Sequence, residues 1–181
     1  SFTRLLGVRR EVPAGVLWLL DGPDRANQRL RDVAQREGIA PARLVFGSSL
    51  PHDQHLARYA HADLFLDTTP YGAHTTPSDA IWAGCPVLPC PGDVFAARVA
   101  ASLNHHLGVP GLNAADDAAF VAAAARLGRD AGERAQLRSR IAGARVSSGL
   151  FDMKAYARDF AAVLQRKADR PRAGLPPAPL A

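Results

Sequence analysis

The chain has 181 residues, of which 48% are apolar, and this length predicts one domain over residues 1–167 with a tail to spare. No apolar run approaches the roughly 18 residues that span a bilayer. The opening SFTRLLGVRREVP also lacks a signal-peptide pattern, so we expect a cytoplasmic protein without a membrane partner. The net charge of +5 comes from arginines that alternate with acids in DRANQRLRDVAQRE and GRDAGERAQLRSR, which argues against a nucleic-acid partner.

The first half of the chain alternates short apolar runs with helical patterns, which predicts parallel strands joined by helices. The strands are expected at residues 15–20, 43–47, 63–68 and 86–90. The helices are expected at residues 25–37, 51–62, 77–83 and 94–107. Gly84 is expected to end the third helix in a left-handed conformation, because Pro86 forbids its continuation.

The second half, from Gly111 onward, shows only helical patterns. The helices are expected at residues 115–127, 131–145 and 152–167. Residues 168–181, ADRPRAGLPPAPLA, are rich in Pro and Ala without periodicity and are expected to be disordered. The predicted fold class is α/β, half of a doubly wound parallel sheet with a helical C-terminal extension.

The stretch AHTTPSD at residues 73–79 combines several signals of a helix start. Thr76 and Asp79 have the spacing of a capping box, and Pro77 suits the first helical position. The free amides of the first turn and the helix dipole favour an anion just before such a helix. The needs of the helix alone also explain an isolated cap of this kind.

The position of AHTTPSD in the predicted sheet favours ligand binding. Ligands of doubly wound sheets bind beyond the carboxyl ends of the strands, where loops lead into helices. AHTTPSD follows the third strand, and the polar loops DGPD, GSSLPHDQH and PCPGDVF follow the other three. Small polar residues therefore gather at one edge of the sheet.

Four side chains of this stretch are candidates for contact with a ligand. The hydroxyls and amides of Thr75 and Thr76 can hold the oxygens of one phosphate. Asp79 either closes the capping box or binds the vicinal hydroxyls of a ribose. His74 is either a donor to a diphosphate or an ordinary surface histidine.

A second polar cluster consists of His52, His55 and Arg58. His55 and Arg58 lie three residues apart on one helix face. Such a face can stack on a flat heterocycle, although the same spacing is typical of a solvated face. His105 and His106 lie near a helix C-terminus, where cations complement the dipole, and we expect no further role for them.

Motifs of covalent or metal-dependent catalysis are missing from the sequence. It contains no P-loop, no H-E-x-x-H and no G-x-S-x-G. Cys85 and Cys90 lie in an apolar run without a matching pair elsewhere, so we expect core thiols rather than a metal site or a disulfide. We assign no catalytic residue within this chain.

The stretch ADLFLDTTPYGAHTTPSDAIWAGCPVL, followed by PGDVFAARVAASL, resembles the C-terminal catalytic region of the O-linked N-acetylglucosamine (O-GlcNAc) transferases. The similarity extends through VPAGVLWLL, ARLVFGSSLPHDQHLARY and SGLFDMKAYARDF. That family has the glycosyltransferase B architecture of two Rossmann-like lobes, usually with tetratricopeptide repeats in front. The resemblance implies that this chain is the second lobe, a fragment of an enzyme that transfers N-acetylglucosamine from UDP-N-acetylglucosamine (UDP-GlcNAc) to Ser and Thr hydroxyls.

The resemblance also implies how the phosphate end of the donor is held. Thr75 and Thr76 would bind the diphosphate at the helix N-terminus with His74 beside them, and Asp79 would bind the ribose. Most members have a small residue where Pro77 stands, so one amide is lost at the phosphate end. The transfer would be inverting, without a metal, because amides and cationic side chains stabilise the departing UDP.

At the other end of the donor, His55 and Arg58 would flank the uracil, and the backbone at Leu50 would help to read its edge. His52 stands where many members have lysine near the ribose. The family's lysine for the leaving diphosphate and the histidines that position the acceptor fall outside this chain, in the segment upstream and in the first lobe. The first lobe and the repeats are therefore expected partners.

Two other functions remain open on sequence alone. One is a module that binds a nucleotide or a partner protein without catalysis. The other is a UDP-sugar epimerase of similar architecture, for which we find no acidic catalytic residues.

Overall fold

The computed structural model describes residues 2–179 and contains four short strands among helices. The strands are Leu17–Leu20 (β1), Leu44–Gly47 (β2), Phe65–Leu66 (β3) and Val87–Leu88 (β4). The α-helices are Phe2–Glu11 (α1), Asp24–Arg36 (α2), His52–Arg58 (α3), Thr75–Trp82 (α4), Val99–His106 (α5), Asp117–Arg129 (α6), Ala131–Ser147 (α7) and Met153–Arg172 (α8). This order confirms the predicted alternation of strands and helices followed by helices alone.

The strands form two parallel pairs, β1 with β2 and β3 with β4. Leu17 is paired with Leu44, and Phe65 with Val87. The sequence predicted one parallel sheet, whereas within residues 2–179 the ladders join the strands only in these two pairs. The β3–β4 pair is held by hydrogen bonds from the Phe65 N–H to the Pro86 oxygen at 2.9 Å and from the Asp67 N–H to the Leu88 oxygen at 3.0 Å.

Two apolar clusters form the core and meet at β4, whose neighbouring residues point to opposite sides as in any strand. Leu88 packs with α1, β1, β2 and α6 in the first cluster, which contains the buried Phe120. Val87 packs with α4, α5 and α7 in the second, which contains the buried Ile81. Helix α6 contributes to both clusters and thereby fastens the C-terminal helices to the α/β part.

Helix α4 begins at Thr75, two residues before the predicted start, and the predicted capping box of Thr76 and Asp79 is wrong. His74 is the N-cap residue and makes no side-chain cap hydrogen bond. Pro77 is therefore the third residue of the helix, where its missing N–H is still among the donors that a helix start leaves unpaired. The predicted end is confirmed, since Gly84 has φ of +80°.

Three other helix boundaries differ from the predictions. Helix α3 ends at Arg58 and continues as a 3-10 turn, Tyr59–His61. The helix expected at residues 94–107 is divided into a 3-10 turn, Phe95–Ala97, and α5. Helix α8 extends to Arg172 instead of ending at residue 167, so the start of the segment predicted as disordered is helical.

Helix α8 lies on the surface along its whole length and has no buried residue. Its exposed apolar side chains recur at helical spacing: Met153, Tyr156, Phe160 and Leu164. No helix among residues 2–179 is long and apolar enough to cross a membrane.

Candidate functional site

The candidate site is built around the N-terminus of α4, directly after β3. Thr75 and Thr76 are the first two residues of α4, and both are exposed. The first-turn amides of a helix have no partner within the helix, and together with the dipole they make this end attractive to an anion. The predicted anion-binding end of the helix is therefore accessible, although the helix starts earlier than expected.

Asp67 holds the loop that leads from β3 into α4. Its carboxylate Oδ1 accepts hydrogen bonds from the backbone N–H of Thr68 and of Ala73, both at 2.8 Å. The side chain is buried, with 3% of the residue exposed. Burial raises the pKa of the Asp67 carboxyl, while the two N–H donors and the positive charge of Arg4 oppose the rise.

His74 lies between two aromatic rings at the edge of the site. Its ring stacks on Tyr71 at 5.1 Å between centroids and meets Phe95 edge-on at 5.9 Å. Its Nε2 lies 3.3 Å from the carbonyl oxygen of Ala96. Since a carbonyl only accepts, Nε2 carries the proton in this contact, and the ring links the loops after β3 and β4.

Helix α3 brings His55 and Tyr59 against the first turn of α4. His55 Nε2 lies 4.0 Å from Asp79 Oδ2. The Tyr59 hydroxyl donates to the backbone oxygen of Thr76 at 3.3 Å. Burial, followed by the negative charge of Asp79, raises the pKa of Tyr59 to about 12. The Asp79 carboxylate thus faces His55 rather than the helix backbone.

Arg58, the last residue of α3, is engaged with other parts of its own lobe. Its Nη2 donates to the backbone oxygen of Ser48 at 2.7 Å, and its guanidinium lies 5.2 Å from the centre of the Trp18 ring. These contacts hold the loop that follows β2. Leu50, in that loop, and His52, at the start of α3, are exposed.

Most of the predicted site residues therefore converge on one edge of the lobe. The first two turns of α4 and the residue before them gather five of these residues: His55, His74, Thr75, Thr76 and Asp79. His52 begins the neighbouring helix α3 and Arg58 ends it, and Leu50 lies in the loop before α3, whose Ser48 oxygen accepts a hydrogen bond from Arg58.

The two cysteines and the histidine pair at the end of α5 lie outside this group. Cys85 is buried and Cys90 half-buried, and both are free thiols. His105 and His106 are in the last turn of α5 and contact each other edge-on. Among residues 2–179 no group of three or more His, Cys, Asp or Glu side chains is arranged to hold a metal ion.

Sequence reasoning missed Asp67 and Tyr59. The position of Asp67 at the end of the apolar run DLFL is a signal, because loops after parallel strands carry the ligand contacts. Tyr59 lies one helical turn beyond His55, on the same face. Their hydrogen bonds to Ala73 and Thr76 reach across a loop and between two helices, which spacing alone does not reveal.

Parallel strands joined by helices, with a helix N-terminus and polar loops at their carboxyl ends, define a Rossmann-like α/β lobe. The family model of glycosyl transferase family 41 matches residues 2–160, and the chain belongs to this family. The resemblance carried by AHTTPSD and its flanking motifs is thereby confirmed.

Named relatives agree with this assignment. The chain is 37% identical over 169 residues to the UDP-N-acetylglucosamine–peptide N-acetylglucosaminyltransferase of Caenorhabditis elegans, covering 93% of this chain and 15% of the relative. It is 36% identical over 96 residues to the probable UDP-N-acetylglucosamine–peptide N-acetylglucosaminyltransferase SEC of Arabidopsis thaliana, covering 53% of this chain and 10% of the relative.

A solved structure has the same fold. A mutant of the Thermobaculum terrenum O-GlcNAc transferase matches with a TM-score of 0.86 and 27% identity, covering 91% of this chain and 32% of that chain. The predicted α/β class, one lobe of a glycosyltransferase B fold, is confirmed. The chain spans only a minor part of the length of each of these relatives.

Proposed function

We propose that this chain is the donor-binding lobe of an inverting protein O-GlcNAc transferase that uses UDP-GlcNAc to modify Ser and Thr hydroxyls. Membership of family 41 and the names of the relatives support the reaction class. The observation that carries the proposal is the exposed N-terminus of α4, where Thr75 and Thr76 follow a loop at the carboxyl end of β3.

The phosphate end of UDP would lie against this helix start. Amides and hydroxyls of Thr75 and Thr76 donate to the diphosphate oxygens, and the helix dipole adds partial positive charge. With Nε2 of His74 directed at Ala96, only Nδ1 of the ring is left to face a phosphate. These donors stabilise the charge that develops on the departing UDP, which is the main contribution of such a site to catalysis.

The nucleoside end would lie toward α3. Asp79 would accept hydrogen bonds from the ribose, with His55 4.0 Å from its carboxylate as a second polar neighbour. The uracil would pack beside His55 and Arg58 and meet the backbone at Leu50. His52, exposed at the start of α3, would approach the ribose. We propose that the reaction uses no metal cofactor, because helix amides and cationic side chains supply the positive charge that the diphosphate needs.

The acceptor side of the reaction would come from the rest of the enzyme. The chain spans 32% of the solved family member, and we propose that an N-terminal catalytic lobe and tetratricopeptide repeats accompany it in a cytoplasmic protein. For the 181-residue chain alone we expect weak binding of UDP and no sugar transfer.

Calorimetry with UDP tests the donor site. The double variant Thr75→Ala, Thr76→Ala removes two hydroxyl donors, and we expect its affinity for UDP to fall about tenfold, the loss that follows from roughly 1.4 kcal/mol. Ser102→Ala, Ser147→Ala is a matched control, because it removes two exposed hydroxyls outside the site. Equal affinity of the wild-type and the threonine variant would contradict the phosphate assignment.

A further inference from the structure

A buried carboxylate, that of Asp67, holds the loop that leads to the proposed diphosphate site, and among residues 2–179 no cationic side chain forms an ion pair with it. Asp67 is 3% exposed, and burying a charge is costly unless hydrogen bonds compensate for the lost water. The nearby guanidinium of Arg4 donates to the backbone oxygen of Asp67 at 3.0 Å and to the Asp117 carboxylate at 2.8 Å. The Asp67 carboxylate is instead occupied by the backbone of the loop that follows it.

This carboxylate closes the loop between β3 and α4. Oδ1 binds the N–H of Thr68 at the beginning of the loop and that of Ala73 at its end. A second hydrogen bond, from Gly72 N–H to the Ala96 oxygen at 2.8 Å, fastens the same end to the loop after β4. The Asp67 oxygen therefore holds the last amide before His74, beside the contact that Gly72 makes with Ala96.

The start of α4 depends on this closure because the helix has no cap of its own. His74, which follows Ala73, makes no side-chain cap hydrogen bond. The position of the Ala73 amide is transmitted directly to the backbone of His74 and Thr75, whose amides open the helix. Arg4 strengthens the base of the loop, since its guanidinium packs 4.0 Å from the centre of the buried Phe120 ring.

We propose that Asp67 is a positioning residue for the donor diphosphate: by holding the Ala73 amide, it aims the first-turn donors of α4 at the phosphate oxygens. This role rests on the proposed donor site, and it adds two requirements that concern Asp67 alone. The contribution of Asp67 lies in its acceptor oxygen rather than in its negative charge, because a negative charge beside a diphosphate opposes binding. It also acts on the phosphate end of the donor and leaves the nucleoside end, against α3, unchanged.

The test compares UDP with uridine on the 181-residue chain, using calorimetry for UDP and ligand-observed NMR for uridine. Asp67→Ala removes the acceptor oxygen, and we expect it to weaken UDP about tenfold while the affinity for uridine stays within twofold. Asp67→Asn keeps an acceptor oxygen and removes the charge, so it should bind UDP within threefold of the wild type or more tightly. Asp63→Ala is the matched control, because Asp63 precedes the same strand at its other end and pairs with Arg134 at 3.0 Å.

Each remaining outcome decides the question. Folding of every variant is checked by amide spectra, and should Asp67→Ala not fold, Asp67→Glu replaces it, since one added methylene displaces the carboxylate from Ala73. Unchanged UDP affinity in the folded variant, or an equal loss for UDP and uridine, overturns the positioning role. If the variant of Thr75 and Thr76 also binds UDP like the wild type, the donor site itself is wrong; if only the Asp67 variants bind normally, the donor site stands without this role.

Discussion

Substitution of Gly72 by alanine should both destabilise the protein and weaken UDP binding. A Cβ built on Gly72 would lie 3.0 Å from the backbone oxygen of Ala96 and 3.1 Å from Oδ2 of Asp67. The Ala96 oxygen is a backbone atom, and the Asp67 carboxylate is buried and held by two amides, so the neighbours must give way by a few tenths of an ångström. Overpacking of this kind costs about 1–3 kcal/mol, and weakening of the 2.8 Å hydrogen bond from Gly72 to Ala96 acts in the same direction.

Urea denaturation gives the free energy of unfolding, and calorimetry gives the affinity for UDP. Gly143→Ala is the control with the opposite sign: nothing lies within 4 Å of a Cβ on this glycine of α7, and alanine stabilises a helix interior by about 0.5–1 kcal/mol relative to glycine. We expect the free energy of unfolding to fall by about 1–3 kcal/mol in Gly72→Ala and to rise in Gly143→Ala. A Gly72→Ala variant as stable as the wild type would refute the view that the two loops are held in tight contact here.

Two further predictions concern the pKa values that burial shifts. Burial raises the pKa of the Cys85 thiol to about 12. In the variant Cys90→Ala, Cys85 is the only thiol, and Ellman's reagent at pH 8 should react with it only after unfolding. Rapid reaction of the folded variant would show that solvent reaches Cys85. The pKa of Tyr59 is about 12 in the folded protein and roughly 10 in the unfolded chain. The neutral phenol therefore stabilises the fold fully below pH 10, and this stabilisation is lost as the pH rises toward 12. The difference in unfolding free energy between the wild type and Tyr59→Phe, measured in urea at pH 8 and pH 11, should therefore shift in favour of the variant at pH 11, and a difference independent of pH would contradict the assignment.

Local signals were sufficient for the order of elements and for the family. Apolar runs and helical periodicity located α2, α6 and α7 to within two residues at each end, because each of these helices carries its own start and end signals. Gly84 ends α4 because a residue at φ of +80° strains any side chain. The motifs around AHTTPSD identified the family because they form one continuous stretch, and the match over residues 2–160 confirmed it.

The details of the candidate site depended on atoms that lie far apart in the sequence. The start of α4 was mispredicted because the Asp67 carboxylate, and not Thr76, organises the turn. Arg58 contacts Trp18, which a strand earlier in the chain contributes, and spacing did not reveal this contact; its predicted place beside the uracil stays a prediction. The roles of the site residues toward UDP stay predictions that the variants of Thr75, Thr76 and Asp67 will test.

The sequence by itself determined which elements form, in what order, and that their polar ends gather at one edge, since these properties follow from short-range patterns of apolar, glycine and proline residues. Only the tertiary structure decided which groups meet at that edge. Packing of α3 against α4 placed His55 beside Asp79, and the loop between β3 and α4 closed on a buried carboxylate. Such contacts are set by distances between separate elements, which become defined only when the core has formed.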